Sequence, residues 1–269
     1  MIIDCHTHLN KYEDDDSVDL ARRYEALRRE MDENEVDYAL ILSSYLEMDE
    51  RPPVRQILDI VEGDEDRVGV VAGVSYLHYS ARDLADLHAL LADGRLKGLK
   101  LYPGYEPFYV HDPRMRVVYE LAAEFHVPVM IHSGDTFDPR GRLKYAHPIE
   151  VDEVAVDFPD VTFVICHLGN PWITDAMEVI YKNDNVVGDI SGFTLRAFEE
   201  RFERHMLAQV RGAIAFAGNP RDILFGTDWP LADMGSYIRF VRNLELSEDE
   251  VDMVLWRNAA RIFGIEAKR

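Results

Sequence analysis

Residue types that can bind a metal or move protons recur where apolar runs of this 269-residue chain end. His6 and His8 flank one threonine at the end of the first run, "MIIDCHTHL". If that run is a strand, a separation of two residues places both imidazoles on one face. Neutral imidazoles combined with a carboxylate are typical ligands of zinc and similar divalent ions. The H-x-H pair alone is weak evidence, so the hypothesis depends on further donors.

Those further donors end four later runs: Lys100, His132, His167 and Asp228. A divalent ion bound by His6 and His8, together with a third imidazole and a carboxylate from these runs, would polarise a carbonyl group and lower the pKa of a bound water toward ~7. Asp228 could accept the proton of that water, and His167 could orient or protonate a substrate oxygen. We therefore predict catalytic roles for Asp228, His167 and Lys100.

Lys100 has three possible roles, because a lysine beside histidines in a barrel interior must be paired, neutralised or modified. It could be carbamylated and bridge two metals. It could hold a substrate carboxylate, or form a structural ion pair with Asp4 or Asp189. We favour the second and third roles, since no other residue pattern requires a second metal.

Eight short runs rich in Val and Ile alternate with segments of helical periodicity, and both faces of each run are apolar. The runs cover 1–9, 37–44, 68–75, 96–103, 127–134, 161–169, 185–192 and 222–230. This alternation predicts an α/β protein with a (β/α)8 TIM barrel as one domain over 1–269, in which chemistry lies at the carboxyl ends of the strands. A doubly wound open sheet is the alternative, but no glycine-rich dinucleotide turn follows the first run.

The net charge of −21 argues against a nucleic-acid or anionic-membrane partner. No apolar stretch reaches the ~18 residues of a membrane span and no signal-like segment is visible, so we expect a cytoplasmic protein. Arginine far outnumbers lysine among the 29 basic residues. This acidic, lysine-poor composition suggests a halophilic chain that works at high salt. We expect Cys5 and Cys166 to be buried thiols that point outward from the strands, opposite His6 and His167.

Loops after the fourth, fifth and sixth runs supply candidate substrate-binding residues. Tyr102 could form an aromatic pocket wall. Arg140 and Arg142 could hold a carboxylate, although exposed arginines are commonly plain surface features. Trp172 follows the sixth run and is expected to cap the barrel mouth.

Seven motifs together resemble those of the amidohydrolase superfamily, in its amidohydrolase-related branch, which includes enzymes similar to aminocarboxymuconate semialdehyde decarboxylase. In chain order they are "DCHTHL", "GLKLYPGY", "IHSG", "LKYAHP", "HLGNPW", "FGTDWP" and "RNAARIFG". The resemblance covers nearly the whole chain. It implies a one-metal site with four ligands, namely His6, His8, His132 and Asp228, and a substrate-directed role for His167. In two-metal members of the superfamily, His132 and His167 would bind a second ion bridged by Lys100.

Three functions are compatible with these residues. The first is a hydrolase, with zinc as the expected metal and one ion favoured over two, acting on a small carboxylated lactone, ester or amide. The second is a metal-dependent decarboxylase or hydratase of a small unsaturated or aromatic acid. The third is a non-catalytic metal-binding barrel, which ranks lowest because the complete ligand set is present. The expected partner is a small molecule, and a homo-oligomer is suggested only by the resemblance.

Overall fold

A computed structural model describes residues 1–13 and 17–266 of the chain. Eight parallel strands pair in chain order, from β1 to β8. The strands are β1 Ile3–Thr7, β2 Tyr38–Leu42, β3 Val68–Gly73, β4 Gly98–Leu101, β5 Val129–Ile131, β6 Phe163–Ile165, β7 Val186–Asp189 and β8 Ile223–Leu224. The backbone N–H of Cys5 donates to the carbonyl of Phe225 at 3.0 Å, which brings β8 against β1 and nearly closes the barrel. The predicted (β/α)8 architecture is confirmed.

Helices connect successive strands and cover the outside of the barrel. The α-helices are α1 Leu20–Glu33, α2 Val54–Ile60, α3 Ala81–Ala92, α4 Arg116–Phe125, α5 Glu150–Asp157, α6 Ile173–Lys182, α7 Glu200–Ala217, α8 Met234–Arg242, α9 Glu248–Asp252 and α10 Asn258–Phe263. Local chemistry sets several ends. Ser80 and Asp83 form a capping box at the start of α3, and Gly218 ends α7 in a left-handed conformation (φ 83°).

Buried apolar residues form two layers. A large layer fills the space between strands and helices. A smaller cluster, called here the interior cluster, fills the barrel itself and includes Leu40, Met130, Val164 and Leu224 from alternate strand positions. Phe263 of α10 belongs to it and lies 3.7 Å from the position that a Cβ on Gly98, the first residue of β4, would occupy. The amino-terminal end of the barrel is therefore closed by apolar side chains.

The expectation that both cysteines point outward was wrong. Cys5 and Cys166 are buried in the interior cluster. Strict strand alternation fails at both positions, because the β1–β2 register shifts between Asp4 and Thr7 and because His167 has a left-handed backbone directly after β6. A thiol and its neighbouring imidazole can therefore both face the barrel interior.

No helix in residues 1–13 and 17–266 is long and apolar enough to cross a membrane.

Candidate metal centre and its cleft

A cleft of about 440 Å³ opens at the carboxyl ends of the strands, where a (β/α)8 barrel places its chemistry. All six side chains predicted to carry the reaction line it: His6, His8, Lys100, His132, His167 and Asp228. They come from β1, β4 and the segments that follow β1, β5, β6 and β8. The barrel therefore gathers residues that are far apart in sequence.

His6, His8 and Asp228 form a compact group of three metal-donor side chains. The Nε2 atom of His8 lies 3.2 Å from Oδ1 of Asp228, and Nε2 of His6 lies 3.7 Å from the same oxygen. The backbone connects the group too, since the N–H of Asp228 donates to the carbonyl of His6 at 2.8 Å. Closure of the barrel between β8 and β1 thus determines where these donors meet.

Hydrogen bonds on the far side of each imidazole fix its orientation. Nδ1 of His8 is 2.9 Å from the carbonyl of Leu42, which can only accept, so Nδ1 carries the proton and Nε2 keeps its lone pair. Nδ1 of His6 lies 3.0 Å from the Asp189 carboxylate. Partners of this kind hold metal-binding histidines in the required tautomer.

Asp189 is a functional residue that the sequence analysis did not assign to the site. Its Oδ1 accepts from the backbone N–H of His167 at 2.9 Å and from the backbone N–H of Ser191 at 3.0 Å, and it also bonds the Ser191 hydroxyl. The same hydroxyl is 2.9 Å from Nδ1 of His167. Although His6, His167 and Asp189 also form a group of possible metal donors, these bonds already occupy the facing atoms. The sequence feature that could have identified Asp189 is its position at the end of a buried run, "NVVGD".

His132 contributes an unsatisfied donor atom. Its Nε2 is buried without a hydrogen-bond partner in the described part of the chain, which is costly for a polar group. The ring centroid lies 5.1 Å from that of His167, which in turn lies 5.0 Å from that of His6. His132 therefore adjoins the compact donor group without belonging to it.

Burial and neighbouring groups keep three imidazoles neutral, those of His6, His132 and His167, and keep the Asp228 carboxylate ionised. Burial lowers the pKa of His6 to about 4, and it also lowers the pKa values of His132 and His167. Burial alone would raise the pKa of Asp228, but the surrounding imidazoles of His8, His6 and His167 outweigh it and hold that pKa well below its usual range. These are the protonation states that metal binding requires.

The backbone is unusual at two of these residues. His167 (φ 59°) and Asp228 (φ 74°) adopt left-handed conformations that side-chain-bearing residues rarely use. Gly192 (φ 63°) must lack a side chain, because a Cβ there would lie 2.5 Å from Nδ1 of His167 and 3.1 Å from Oδ2 of Asp228. Such conformations persist where the surrounding structure holds them in place, which occurs often at functional sites.

The donor set fits a divalent metal ion. The oriented Nε2 atoms of His6 and His8 and the ionised carboxylate of Asp228 converge, and the buried Nε2 of His132 has no other partner nearby. Imidazole and carboxylate donors suit zinc and several other transition metals. His6, His8 and Asp228 thus form a possible metal site of the kind predicted from the sequence.

Lys100 does not form the structural ion pair that was one of its predicted roles. Its side chain is buried (1% exposed), and Nζ contacts Sγ of Cys166 at 2.6 Å rather than the carboxylate of Asp4 or Asp189. The ammonium position also lies 5.3 Å from the ring centroid of Tyr102. Cys166 was expected to point outward, so this contact could not be anticipated.

The cleft wall combines aromatic side chains with a cation, Arg51, that the sequence analysis did not single out. Arg51 donates to the hydroxyl of Ser44 at 3.3 Å and lies 5.8 Å from the ring centroid of Tyr45. Among the described residues it forms no ion pair with a carboxylate. The aromatic residues of the wall are Tyr12, Tyr45, Tyr102, Tyr105, Phe137 and Phe193. The predicted wall residue Tyr102 is among them, and its hydroxyl donates to the carbonyl of Ser43 at 2.6 Å.

Three predicted substrate-binding residues lie outside this wall. Arg140 is 89% exposed and pairs with Asp138 at 2.7 Å. Arg142 is exposed, and Trp172 packs against His147 with ring centroids 4.7 Å apart. The Asp138–Arg140 pair is local in sequence, so the competing partner of Arg140 was visible two residues away.

A nearly closed (β/α)8 barrel with imidazoles and a carboxylate at its carboxyl end is typical of metal-dependent hydrolases and related lyases. The amidohydrolase family model (Amidohydro_2) matches residues 3–265, so this chain belongs to the amidohydrolase family, and the resemblance noted in the sequence is confirmed. A comparison with curated protein sequences finds no match.

Solved structures share the fold at low sequence identity. The 5-carboxyvanillate decarboxylase LigW from Sphingomonas paucimobilis is 18% identical, with a TM-score of 0.68 over 98% of this chain and 99% of that one. A dihydroxybenzoic acid decarboxylase from Polaromonas sp. JS666, solved with bound manganese, is 14% identical, with a TM-score of 0.71 over 99% and 98%. A probable 2-pyrone-4,6-dicarboxylic acid hydrolase from Acinetobacter baumannii is 15% identical, with a TM-score of 0.66 over 98% and 99%.

Proposed function

We propose that this protein is a metal-dependent hydrolase of a small carboxylated lactone, ester or amide. One observation carries the proposal: the donors of His6, His8 and Asp228 converge beside the unpartnered Nε2 of His132, in a cleft that also holds Arg51. The site therefore offers ligands for a divalent metal ion and a cationic side chain that can bind a substrate carboxylate. Membership of an enzyme family supports a catalytic role over the non-catalytic alternative.

The residues of the site divide the work of hydrolysis. A divalent cation held by this donor set would polarise a carbonyl oxygen and make water a stronger nucleophile near neutral pH. Asp228 is held ionised, which is the state that a proton acceptor needs. His167 is neutral and its Nδ1 bonds Ser191, so its Nε2 is available to exchange a proton with the substrate. Asp189 fixes the ring of His6.

The cleft favours a small, flat, anionic substrate. Arg51 can bind one carboxylate through paired N–H donors, because no carboxylate of the described chain already pairs with it. The rings of Tyr45, Tyr102 and Tyr105 lie 5.0 to 6.4 Å apart at their centroids and form one side of the cleft. A volume of about 440 Å³ suits a small molecule.

The metal we propose is zinc, as a single ion. Three imidazoles and one carboxylate form a common zinc ligand set, although the manganese in the Polaromonas decarboxylase shows that this fold also accommodates another metal. A single ion is favoured because Lys100 contacts Cys166, and because His167 and Asp189 are engaged with Ser191. Elemental analysis of the purified protein tests both statements, and two ions per chain would contradict the second.

Decarboxylation of a small aromatic or unsaturated acid is the second candidate. The aromatic wall favours it, since a flat ring can stack against Tyr105, and two of the three structures described above are decarboxylases. Both reactions use the same metal site and the same cation. The two candidates therefore differ in products rather than in the residues required.

Product analysis separates the two candidates. The metal-loaded protein would be incubated with carboxylated lactones, esters and amides and with hydroxybenzoates, while proton release, free amine and carbon dioxide are measured separately. Without carbon dioxide, we expect a lactone or ester to release a proton or an amide to release its amine. Carbon dioxide release would establish the second candidate. An absence of turnover with zinc-, manganese- and cobalt-loaded protein would favour a non-catalytic barrel.

A further inference from the structure

The contact between Lys100 and Cys166 is not explained by the metal site. Nζ of Lys100 lies 2.6 Å from Sγ of Cys166, and the two side chains are 1% and 0% exposed. The residues come from β4 and from the turn that follows β6. The side chains thus meet across the barrel interior, held by two separate backbone segments.

Among the described residues, no carboxylate at ion-pair distance from Lys100 accounts for this arrangement, while the Asp189 carboxylate lies near the Cys166 thiol. A buried ammonium is stable when a carboxylate accompanies it, and within the described residues Lys100 has none at ion-pair distance. The thiol is buried as well, and burial raises the pKa of Cys166. A thiol is also a weak hydrogen-bond partner, so a hydrogen bond to sulfur gives little reason for so close an approach. The pair is better described as an amine and a thiol positioned for a reaction with each other.

We propose that Lys100 and Cys166 are joined on oxidation by a covalent bridge in which one oxygen atom links Nζ to Sγ. The required oxidant is a peroxide. Lys100 lines the cleft wall, and Sγ of Cys166 lies behind it, 2.6 Å from Nζ. The proposal does not depend on which reaction the metal site catalyses.

The bridge forms in two balanced two-electron steps. In the first, hydrogen peroxide oxidises the Cys166 thiol to a sulfenic acid and one water is released. In the second, a further peroxide oxidises the amine and sulfenic acid together, so that the N–O bond forms, two waters leave and Nζ–O–Sγ remains. The protein has then gained one oxygen atom and lost two hydrogen atoms. Excess dithiol reductant reverses the reaction by restoring the amine and the thiol and releasing the oxygen as water.

The bridge would act as a redox switch on the site. It would turn a basic amine of the cleft wall into a neutral, fixed link and tie β4 to the turn that carries His167. It would also protect Cys166 from the irreversible sulfinic and sulfonic states.

The second cysteine provides a matched control. Cys5 is buried in the same interior cluster, but no hydrogen bond from a described residue reaches its thiol. If burial near the site were sufficient for oxidation, both thiols would respond alike. If the lysine directs the reaction, Cys166 alone will form a bridge.

The experiment is high-resolution mass spectrometry of the holoprotein after peroxide treatment, with and without dithiothreitol. We expect the intact mass to gain one oxygen and lose two hydrogens. Trypsin should then fail to cut after Lys100, and the peptides containing Lys100 and Cys166 should be recovered as one cross-linked species that the reductant separates. Cys5→Ser should retain the cross-link, whereas Cys166→Ser and Lys100→Arg should abolish it.

Other products would overturn the proposal. One is a Cys5–Cys166 disulfide, which loses two hydrogens without gaining oxygen. Another is Cys166 oxidised to a sulfenic or sulfinic acid while trypsin still cuts after Lys100. The third is a Cys166 thiol that remains unmodified. The wild-type mass alone decides among them, so the result holds even if a variant fails to fold. Turnover is not needed as a readout, so failure of the bridge and failure of the proposed hydrolase are distinguishable.

Discussion

The two ends of the barrel interior differ in the polarity of the side chains that fill them. At the carboxyl end, buried polar groups such as His6, Lys100 and His132 point into the cleft. At the amino end, apolar side chains such as Ile3, and Phe263 of α10, close the barrel. Burial of polar and unpartnered atoms at the carboxyl end lowers the stability of the fold, whereas burial of apolar side chains at the amino end raises it. Side chains at the amino ends of the strands therefore stabilise the fold, and side chains at their carboxyl ends form the candidate site.

The largest expected effect is on catalysis at the polar end. Asp228→Asn keeps the shape of the side chain but removes the charge that holds a metal and accepts a proton. We expect turnover to fall about 10²–10⁴-fold, with little change in the melting temperature of the metal-free protein. Steady-state kinetics and thermal unfolding check the two parts. Wild-type turnover in this variant would remove Asp228 from the mechanism.

A substitution at the apolar end should show the opposite pattern. Phe263→Ala deletes a buried ring of the interior cluster, and we expect the free energy of unfolding to fall by about 3–5 kcal/mol. Metal content per folded chain should stay unchanged, because Phe263 is remote from the donors. Urea unfolding and elemental analysis of the folded fraction provide the measurements. Loss of metal without loss of stability would contradict the division between the two ends.

A smaller effect is expected from the residues that orient the donors. Asp189→Asn should weaken metal affinity roughly 10–100-fold, because the amide holds the His6 ring less firmly than the carboxylate does. The matched control is Asp4→Asn. Asp4 is an equally buried carboxyl whose pKa burial raises to about 7, and it bonds Thr227 and backbone N–H groups but no imidazole. Competition with a chelator measures the affinities, and equal losses in both variants would refute a specific role for Asp189.

The smallest effect concerns substrate affinity alone. Arg51→Gln should raise KM about 10-fold or more, since a hydrogen bond to a charged group contributes roughly 1.5–3 kcal/mol, while turnover at saturation changes little. Arg140→Gln is the control, because that side chain is exposed and outside the cleft wall. If Arg140→Gln raised KM and Arg51→Gln did not, the loop after β5 would bind the carboxylate, as the sequence analysis first supposed.

The sequence predicted the barrel and the polar residues at its carboxyl end. All eight strands fall inside the apolar runs, because parallel strands buried on both faces have a composition that loops and helices lack. His6, His8 and Asp228 were identified because each lies at the end of such a run. This prediction required only the order of the strands along the chain and the fact that parallel strands all end at the same edge of the sheet.

The remaining details depend on contacts that no local pattern encodes. Arg51 lies in a loop after β2, where a backbone pairing with Met48 sets its position, and it faces the cleft only because the loop folds over Tyr45. The partnership of Lys100 with Cys166 followed from a departure from strand alternation after β6. Long-range placement and local backbone irregularity are thus what the sequence pattern left undetermined.

Closure of β8 against β1 has a consequence for how the protein is made. His6 leaves the ribosome long before its neighbour Asp228, which is bonded to it through the backbone. A nascent chain can form several strand–helix units before that moment, yet it holds only part of the donor group. The metal role proposed above for this group therefore requires β8 to be made before the chain can hold an ion at full strength.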